Sequence, residues 1–146
     1  MKKIIIFDFN RTIYDPESRD LIVDARLVLR TLLKRGFDLY LISRAENSRK
    51  KLIDELGVIQ YFTKIIIVKE KNKRIFQKII AEKNVDLQSS FIIGDRIKKE
   101  IIIGNILGLQ TIWLQDGKFS NELPSTKNEQ PKYVVKKLKD VLNIAL

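Results

Sequence analysis

The sequence contains no cysteine and no histidine. Without cysteine, the chain can form neither disulfides nor thiolate metal sites, and with no secretion signal we expect a cytoplasmic protein. The absence of histidine removes the commonest general base and metal ligand, so any chemistry must use carboxylates, hydroxyl groups and lysines. No apolar run approaches the length that spans a bilayer, so we expect no membrane partner.

Negative charge is also in short supply, with 18 Asp and Glu against 28 Lys and Arg and a net charge of +10. Such a surface can attract nucleic acid, acidic lipid or phosphorylated substrates. The basic residues are spread along the chain, and few aromatic residues interleave with them. This spread favours the well-solvated surface of a thermophile protein rich in Lys and Ile. Nucleic acid and a second copy of the chain, in a homo-oligomer, stay open as partners.

What the chain does contain is an alternation of short apolar runs with amphipathic stretches, which is typical of a parallel α/β sheet. Its 146 residues favour one domain with a substantial core. We predict a three-layer α/β/α sandwich around a mainly parallel, five-stranded, Rossmann-like sheet. The predicted strands are Lys3–Phe7, Asp38–Ile42, Lys64–Val68, Ser90–Ile93 and Gln110–Leu114. Trp113 lies in an apolar run and is predicted to be a core residue.

Apolar residues at helical spacing predict helices between these strands and after the last one. The first predicted helix contains Val28, Leu29, Leu32 and Leu33 and ends at Gly36, and the second contains Leu52, Ile53 and Leu56 and ends at Gly57. The third contains Phe76, Ile79 and Ile80, and the fourth contains Ile97 and Ile101 and ends near Gly108. A closing helix contains Val134, Leu138, Val141, Leu142 and Ala145. The polar segment Asn121–Pro131 predicts a surface loop.

Polar residues follow four of the predicted strands directly. Asp8, Ser43, the Lys69–Lys73 segment and Asp95 take these positions, and Glu100 comes five residues after Asp95. In a parallel sheet the carboxyl ends of the strands meet at one edge, so these side chains should lie close together. The sequence therefore predicts one site built from carboxylates, a hydroxyl group and a lysine.

The run Asp8-Phe9-Asn10-Arg11-Thr12 resembles Asp-x-Asp-x-Thr, the first motif of the haloacid dehalogenase (HAD) superfamily. Ser43, a lysine near residue 71 and Gly94-Asp95 with Glu100 follow in the order of the other three HAD motifs. The segment from Gly104 to Thr111 also resembles the part of the family that follows the fourth motif, so the resemblance covers nearly the whole chain.

The resemblance implies a Mg²⁺-dependent phosphatase in which Asp8 becomes phosphorylated. It implies that Asp8, Asp95 and the backbone carbonyl of Asn10 hold the Mg²⁺, and that Asn10 stands at the acid/base position. Substrate phosphate would be bound by Ser43, Arg44 and Arg11. A lysine would offset the charge of Asp8, and comparison of its spacing from Phe76 favours Lys71 over Lys69 and Lys73. Glu100 and Thr12 would support the site, and Arg96 flanks it.

Each of these residues also has a purely structural interpretation. Ser43 and Glu46 form a Ser-x-x-Glu pattern that predicts a helix capping box. Asp8 can end a strand at a turn, and Asp95 can cap a helix. The segment Lys69–Arg74 has the composition of a solvated charged run. These alternatives stay open for the sequence alone.

Asn10 departs from the family pattern, because an amide cannot carry a proton to a leaving group or accept one from water. Loss of such acid/base help typically lowers rates by ~10²–10⁴-fold. Three hypotheses follow: a substitution introduced to slow turnover, a natural enzyme for good leaving groups such as acyl or aryl phosphates, and a non-catalytic relative that binds phosphate groups or nucleic acid.

The spacing of the motifs leaves little room for a cap domain. Thr12 to Leu21 suffices only for a short hairpin, and Ser43 to Lys71 is filled by one helix and one strand. We therefore expect a single, uncapped domain over residues 1–146. An open site suits macromolecular phosphates such as a nucleic-acid end or a phosphoprotein, and it disfavours dehalogenase and phosphomutase chemistry, which need water excluded.

Overall fold

The computed structural model describes residues 1–146, apart from the side chain of Lys83. Its strands in chain order are β1 (Ile4–Asp8), β2 (Tyr14–Asp15), β3 (Asp20–Leu21), β4 (Asp38–Arg44), β5 (Lys64–Val68), β6 (Phe91–Gly94), β7 (Gln110–Leu114) and β8 (Tyr133–Val135). Six of them form a parallel sheet of order β5-β4-β1-β6-β7-β8, while β2 and β3 form a separate antiparallel hairpin. The four apolar residues of β1 are at most 1% exposed, as expected for an interior strand covered on both faces.

Helical segments connect the strands. They are α1 (Ala25–Lys34), α2 (Arg49–Glu55), α3 (Lys73–Lys83) and α4 (Ile102–Leu107), with a π-helical turn at Ile97–Ile101 that runs into α4, and 3₁₀ turns at Ile59–Tyr61, Leu87–Ser89, Lys127–Glu129 and Leu138–Asn143. Gly36, Gly57 and Gly108 follow α1, α2 and α4 with φ values of 90°, 69° and 85°. This left-handed conformation commonly ends a helix at glycine, so the predicted helix ends are confirmed.

Alternate residues of β1 pack into two apolar cores, one on each face of the sheet. Ile5 and Phe7 pack with the apolar face of α1, whereas Ile4 and Ile6 pack with Phe76 and its neighbours on α3. Successive side chains of a strand point to opposite faces, so a strand with two buried faces joins two helical layers. The predicted three-layer α/β/α sandwich is confirmed.

Two expectations for the end of the chain were wrong. The sheet has six strands rather than five, because Tyr133–Val135 pairs with β7 as β8. Val134 therefore lies in a strand, and the chain closes with a 3₁₀ turn, Leu138–Asn143, in place of the predicted longer helix. Leu138 and Val141 are buried, and their three-residue spacing suits a 3₁₀ turn as well as an α-helix. An apolar run as short as Tyr133–Val135 does not distinguish a strand from a helix by its pattern.

Other parts of the chain agree with the sequence analysis. Trp113 is buried at 5% exposure. Residues 121–131 form a loop that contains one 3₁₀ turn. Leu33, however, is 38% exposed and lies at the margin of the buried face of α1. None of the described helices is long and apolar enough to cross a membrane.

Candidate active site

A cleft of about 330 Å³ lies at the carboxyl ends of β1, β4 and β6. Parallel register aligns these ends, with Asp8 opposite Ile42 of β4 and Phe7 opposite Ile93 of β6. Almost all of the predicted site residues line this cleft: Asp8, Asn10, Arg11, Ser43, Arg44, Lys71, Asp95 and Glu100. Thr12 is fully buried in the turn that follows β1. The fold thus gathers side chains that are up to 92 positions apart, Asp8 and Glu100, into one cleft.

Lys71 joins two carboxylates in this cleft. Its Nζ donates to Asp8 Oδ1 and, at 2.8 Å, to Glu100 Oε1. The Lys71 side chain is 9% exposed. Burial on its own lowers the pKa of Lys71, but the charges of Asp8 and Glu100 outweigh burial and raise that pKa above its ordinary value. Lys71 therefore stays protonated and holds the two acidic side chains together.

Lys69 and Lys73 were the alternative lysines, and their positions differ from that of Lys71. Lys69 lines the cleft, whereas Lys73 is the exposed first residue of α3. In the part of the chain that the structure describes, neither forms a salt bridge with a cleft carboxylate. The contacts with Asp8 and Glu100 belong to Lys71 alone of the three.

Glu100 reaches Lys71 from the π-helical turn after β6. Turns of this kind occur frequently at functional sites. Glu100 is 3% exposed, and burial together with the charge of Asp8 raises its pKa to about 7 against the opposing effect of Lys71. Gly94 makes room for this side chain, because a Cβ at position 94 would come within 2.8 Å of the Cβ of Glu100.

Asp95 is almost inaccessible, at 1% exposure. Arg11 Nε donates to its Oδ2 at 2.8 Å, and Trp113 Nε1 donates to its backbone carbonyl at 3.0 Å. Burial and then the charge of Asp8 raise the pKa of Asp95 to about 6, while Arg11 opposes them. Among the described residues, Asp95 Oδ1 has no hydrogen-bond partner. A buried carboxylate oxygen that lacks a donor is rare in proteins and indicates a place for a cation or water.

The turn after β1 is fixed by its own backbone. The carbonyl of Phe9 accepts hydrogen bonds from the N–H groups of Thr12, Ile13 and Tyr14 at 3.2, 2.9 and 3.0 Å. Arg11 takes a left-handed φ of 60°, and its side chain meets Asp95. Among the described turns, no backbone N–H donates to the carbonyl of Asn10.

The oxygen atoms of this cleft fit the Mg²⁺ site that the resemblance implies. Asp8, Asp95 and the Asn10 carbonyl are hard oxygen ligands, and Mg²⁺ is usually bound by one or two carboxylates with the remaining positions taken by water and phosphate. Within the described residues, no group of three or more Asp, Glu, His or Cys is arranged for a metal. Lys71 pairs with Asp8 and Glu100, and Arg11 pairs with Asp95 through Oδ2, which leaves Asp95 Oδ1 as the carboxylate oxygen available to a cation.

Ser43 lies at the end of β4 and is 2% exposed. Its Oγ donates to the backbone carbonyl of Arg44 at 3.0 Å. The capping-box alternative was wrong, because β4 continues through Arg44 and the residue that precedes α2 is Ser48. Arg44 is exposed at the cleft.

Arg49 is a candidate that the sequence analysis missed. It is the first residue of α2, and its side chain is 4% exposed. Its Nη2 lies 2.7 Å from Glu46 Oε2, its Nη1 donates to Asn10 Oδ1 at 3.3 Å, and its guanidinium lies 4.5 Å from the ring centre of Phe9. The spacing of Glu46 and Arg49 predicts an ordinary ion pair on a helix surface. No signal in the sequence connects Arg49 with Asn10.

Two arginines meet one aromatic ring beside the cleft. The guanidinium carbons of Arg11 and Arg96 lie 4.9 and 4.1 Å from the ring centre of Phe119, distances at which cations are attracted to aromatic faces. Both arginines line the cleft. Arg96 Nε also lies 3.7 Å from Glu122 Oε1. The loop after β7 thus fixes two of the cations that surround the carboxylates.

Comparison with known proteins agrees with this geometry. Residues 70–141 match the family model described as HAD-hydrolase-like. The glyceraldehyde 3-phosphate phosphatase of Pyrococcus abyssi is 31% identical over 100 residues, which are 64% of this chain and 42% of that protein. The chain spans about half the length of the curated relatives it matches.

Solved structures share the fold. A HAD phosphatase from Thermococcus onnurineus has a TM-score of 0.81 at 12% identity, with 99% of this chain and 97% of that chain covered. YfnB from Bacillus subtilis, in a form bound to magnesium, has a TM-score of 0.71 at 22% identity, with 87% of this chain and 57% of that chain covered. At these identities the structural likeness shows the fold, while the family model and the curated relatives supply the sequence relationship. In sequence and in fold, the chain is similar to hydrolases of the haloacid dehalogenase superfamily.

Proposed function

We propose that this chain is a Mg²⁺-dependent phosphatase that acts through a phospho-aspartyl intermediate on Asp8. The observation that carries the proposal is the contact of Lys71 with both Asp8 and Glu100 at the end of β1, beside the buried Asp95. Buried ionisable groups in a cleft with perturbed pKa values are typical of catalytic sites. The names of the curated relatives, which are phosphatases, support the same reaction.

The residues divide the work as follows. Lys71 holds Asp8 Oδ1, and the other oxygen of Asp8 attacks phosphorus as the bond from phosphorus to the leaving oxygen breaks. Ser43 and Lys71 stabilise charge on the phosphoryl oxygens. Water then hydrolyses the acyl phosphate, which releases inorganic phosphate and restores Asp8. Mg²⁺, held by Asp8, Asp95 and the Asn10 carbonyl, would offset the repulsion between phosphate and carboxylates.

Asn10 limits the substrates of this reaction. Because an amide transfers no proton, the leaving group must depart as a stable anion, which acyl and aryl phosphates do. We therefore propose that turnover is slow on simple alkyl phosphates. The segment from β1 to α1 contains only the β2–β3 hairpin, which supports a cleft without a cap domain. The relatives' substrate, glyceraldehyde 3-phosphate, makes small phosphorylated compounds the first candidates, and macromolecular phosphates come second.

The test is phosphate release from p-nitrophenyl phosphate, acetyl phosphate and glyceraldehyde 3-phosphate, measured with Mg²⁺ and again with EDTA. We expect Mg²⁺-dependent release, fastest with the first two compounds, and a larger gain on the alkyl phosphate than on the aryl phosphate in Asn10→Asp. Failure of both proteins across a broad panel would refute the phosphatase proposal. Failure of both to bind Mg²⁺ would also refute the site.

A non-catalytic role in binding phosphate groups or nucleic acid is the alternative, and the net charge of +10 is the observation that favours it. Salt-dependent binding to DNA and RNA, unchanged in Asp8→Ala, would support this alternative over the enzyme. We also propose that the protein is cytoplasmic and that it comes from a thermophile. A thermal unfolding midpoint above about 90 °C would support the latter.

A further inference from the structure

The burial of Arg49 is costly at its position in the fold. Arg49 is the first residue of α2, whose first turn contains no acidic residue. The positive end of a helix dipole disfavours a cation there, and a guanidinium at 4% exposure has lost most of its water. Glu46 supplies a counter-charge, but Glu46 is 58% exposed and does not require Arg49 to be buried. The remaining contacts of Arg49, with Phe9 and Asn10, point towards the turn after β1.

The chemistry of the two side chains fixes how they meet. Arginine carries only hydrogen-bond donors, whereas the asparagine amide carries an acceptor oxygen and a donor nitrogen. Arg49 Nη1 therefore pairs with Asn10 Oδ1, at 3.3 Å, and would clash electrostatically with Nδ2. With Oδ1 held by Arg49, the Nδ2 group is the part of Asn10 that is left to donate. Asn10 lines the cleft in which the substrate phosphate is proposed to bind.

We propose that Arg49 is a positioning residue for Asn10, and that it fixes the amide so that Nδ2 donates a hydrogen bond to an oxygen of the bound phosphate ester. This inference rests on the proposed phosphatase function. A preorganised donor stabilises charge on oxygen in the transition state without transferring a proton. Asn10 Nδ2 thus acts as a hydrogen-bond donor of fixed orientation, and the contact of Arg49 with Oδ1 fixes that orientation.

A double-mutant cycle separates this role from simple structural support. In Arg49→Met we expect kcat for p-nitrophenyl phosphate to fall about tenfold with KM little changed, because a donor is misplaced in the transition state. In the Asn10→Ala background the same Arg49→Met change should cost less than about twofold, since no amide is left to position. Lys51→Met, a change from a basic residue to methionine on the exposed face of α2, is the matched control and should match the parent protein.

Equal losses from Arg49→Met in both backgrounds would show a purely structural role and overturn the proposal. Any general loss of stability acts in both backgrounds and cancels in the cycle. If Arg49→Met does not fold, Arg49→Lys takes its place, because lysine keeps the charge but lacks the fork that reaches Glu46 and Asn10 together.

A second measurement does not depend on activity. The Asn10 side-chain amide signals in a ¹⁵N–¹H NMR spectrum are identified by their loss in Asn10→Ala. We expect them to shift and to exchange faster with water in Arg49→Met or Arg49→Lys, and to stay in place in Lys51→Met. If no variant releases phosphate, the proposed function fails, and the positioning role is then decided by these signals: unchanged signals overturn it.

Discussion

Lys71 and Arg49 are both buried cations that contact residues of the cleft, with side chains 9% and 4% exposed, but they meet different partners. Lys71 contacts two carboxylates, Asp8 and Glu100. Arg49 contacts one exposed carboxylate, an aromatic ring and the neutral amide of Asn10. Lys71 thus determines the charge around the proposed nucleophile, Asp8, whereas Arg49 determines the orientation of the neutral Asn10 amide. Removing the first should change electrostatics, and removing the second should change geometry.

The largest effect should come from the carboxylate that Lys71 holds. Asp8→Asn preserves the shape of the side chain but removes the nucleophile, so we expect phosphate release to fall by at least about 10⁴-fold. The measurement is the Mg²⁺-dependent rate with p-nitrophenyl phosphate, with circular dichroism as the check on folding. A folded Asp8→Asn protein that keeps more than about 1% of the rate would exclude Asp8 as the nucleophile.

Lys71→Met should have the next largest effect, because it removes the cation and leaves both carboxylates in place. We expect a loss of about 10²–10³-fold in kcat. The free energy of unfolding should fall by about 3 kcal/mol at pH 8, where Glu100 would be buried and charged without a partner. At pH 5 the fall should be smaller, since the pKa of Glu100 already lies near 7 with Lys71 present.

The matched control is Lys73→Met, since Lys73 is exposed at the start of α3. We expect its rate to stay within about twofold and its stability within about 0.5 kcal/mol of the parent protein. Comparable losses in Lys71→Met and Lys73→Met would contradict the assignment of Lys71 as the lysine of the site.

A smaller effect should appear in the pH dependence of stability without divalent cations. The pKa values of Asp95 and Glu100 rise on folding from 3.8 and 4.5 to about 6 and about 7. The folded state therefore binds more protons than the unfolded state over this interval, and the free energy of unfolding should fall as pH rises from about 4 to about 7. Urea unfolding at pH 5 and pH 8 measures the difference.

Glu100→Gln should remove the upper part of this dependence, worth roughly 1–3 kcal/mol, because glutamine does not titrate. Glu55→Gln, on the exposed end of α2, is the control and should retain the full dependence. A slope that is the same in both variants would show that Glu100 is not the group responsible.

The residues around Lys71 in the cleft could largely be predicted from the sequence. Asp8 and Asp95 follow apolar runs, and parallel strands bring such positions to one edge of the sheet. Phe76, whose spacing from Lys71 favoured this lysine, is fully buried in the first turn of α3. Sequence order and strand geometry are enough to place these residues, although their roles stay predictions.

Arg49 could not be assigned to the site in the same way. Its contact with Asn10 depends on where β4 ends and on the left-handed φ of 62° at Ser48 before α2. The sequence pattern instead suggested that Ser43 caps this helix. β8 escaped prediction for a related reason, since three residues at a sheet edge gain their structure from pairing with β7 and not from their own pattern.

Gly94 limits which amino-acid substitutions the site tolerates. The atoms that a Cβ at position 94 would meet are Cβ and Cγ of Glu100, at 2.8 and 2.9 Å, which lie near the backbone and cannot swing aside. Even alanine would push Glu100 away from Lys71 while leaving every charged residue of the cleft unchanged. One of the positions least able to accept mutation therefore carries no chemistry of its own, and a survey of variants that followed only polar side chains would overlook it.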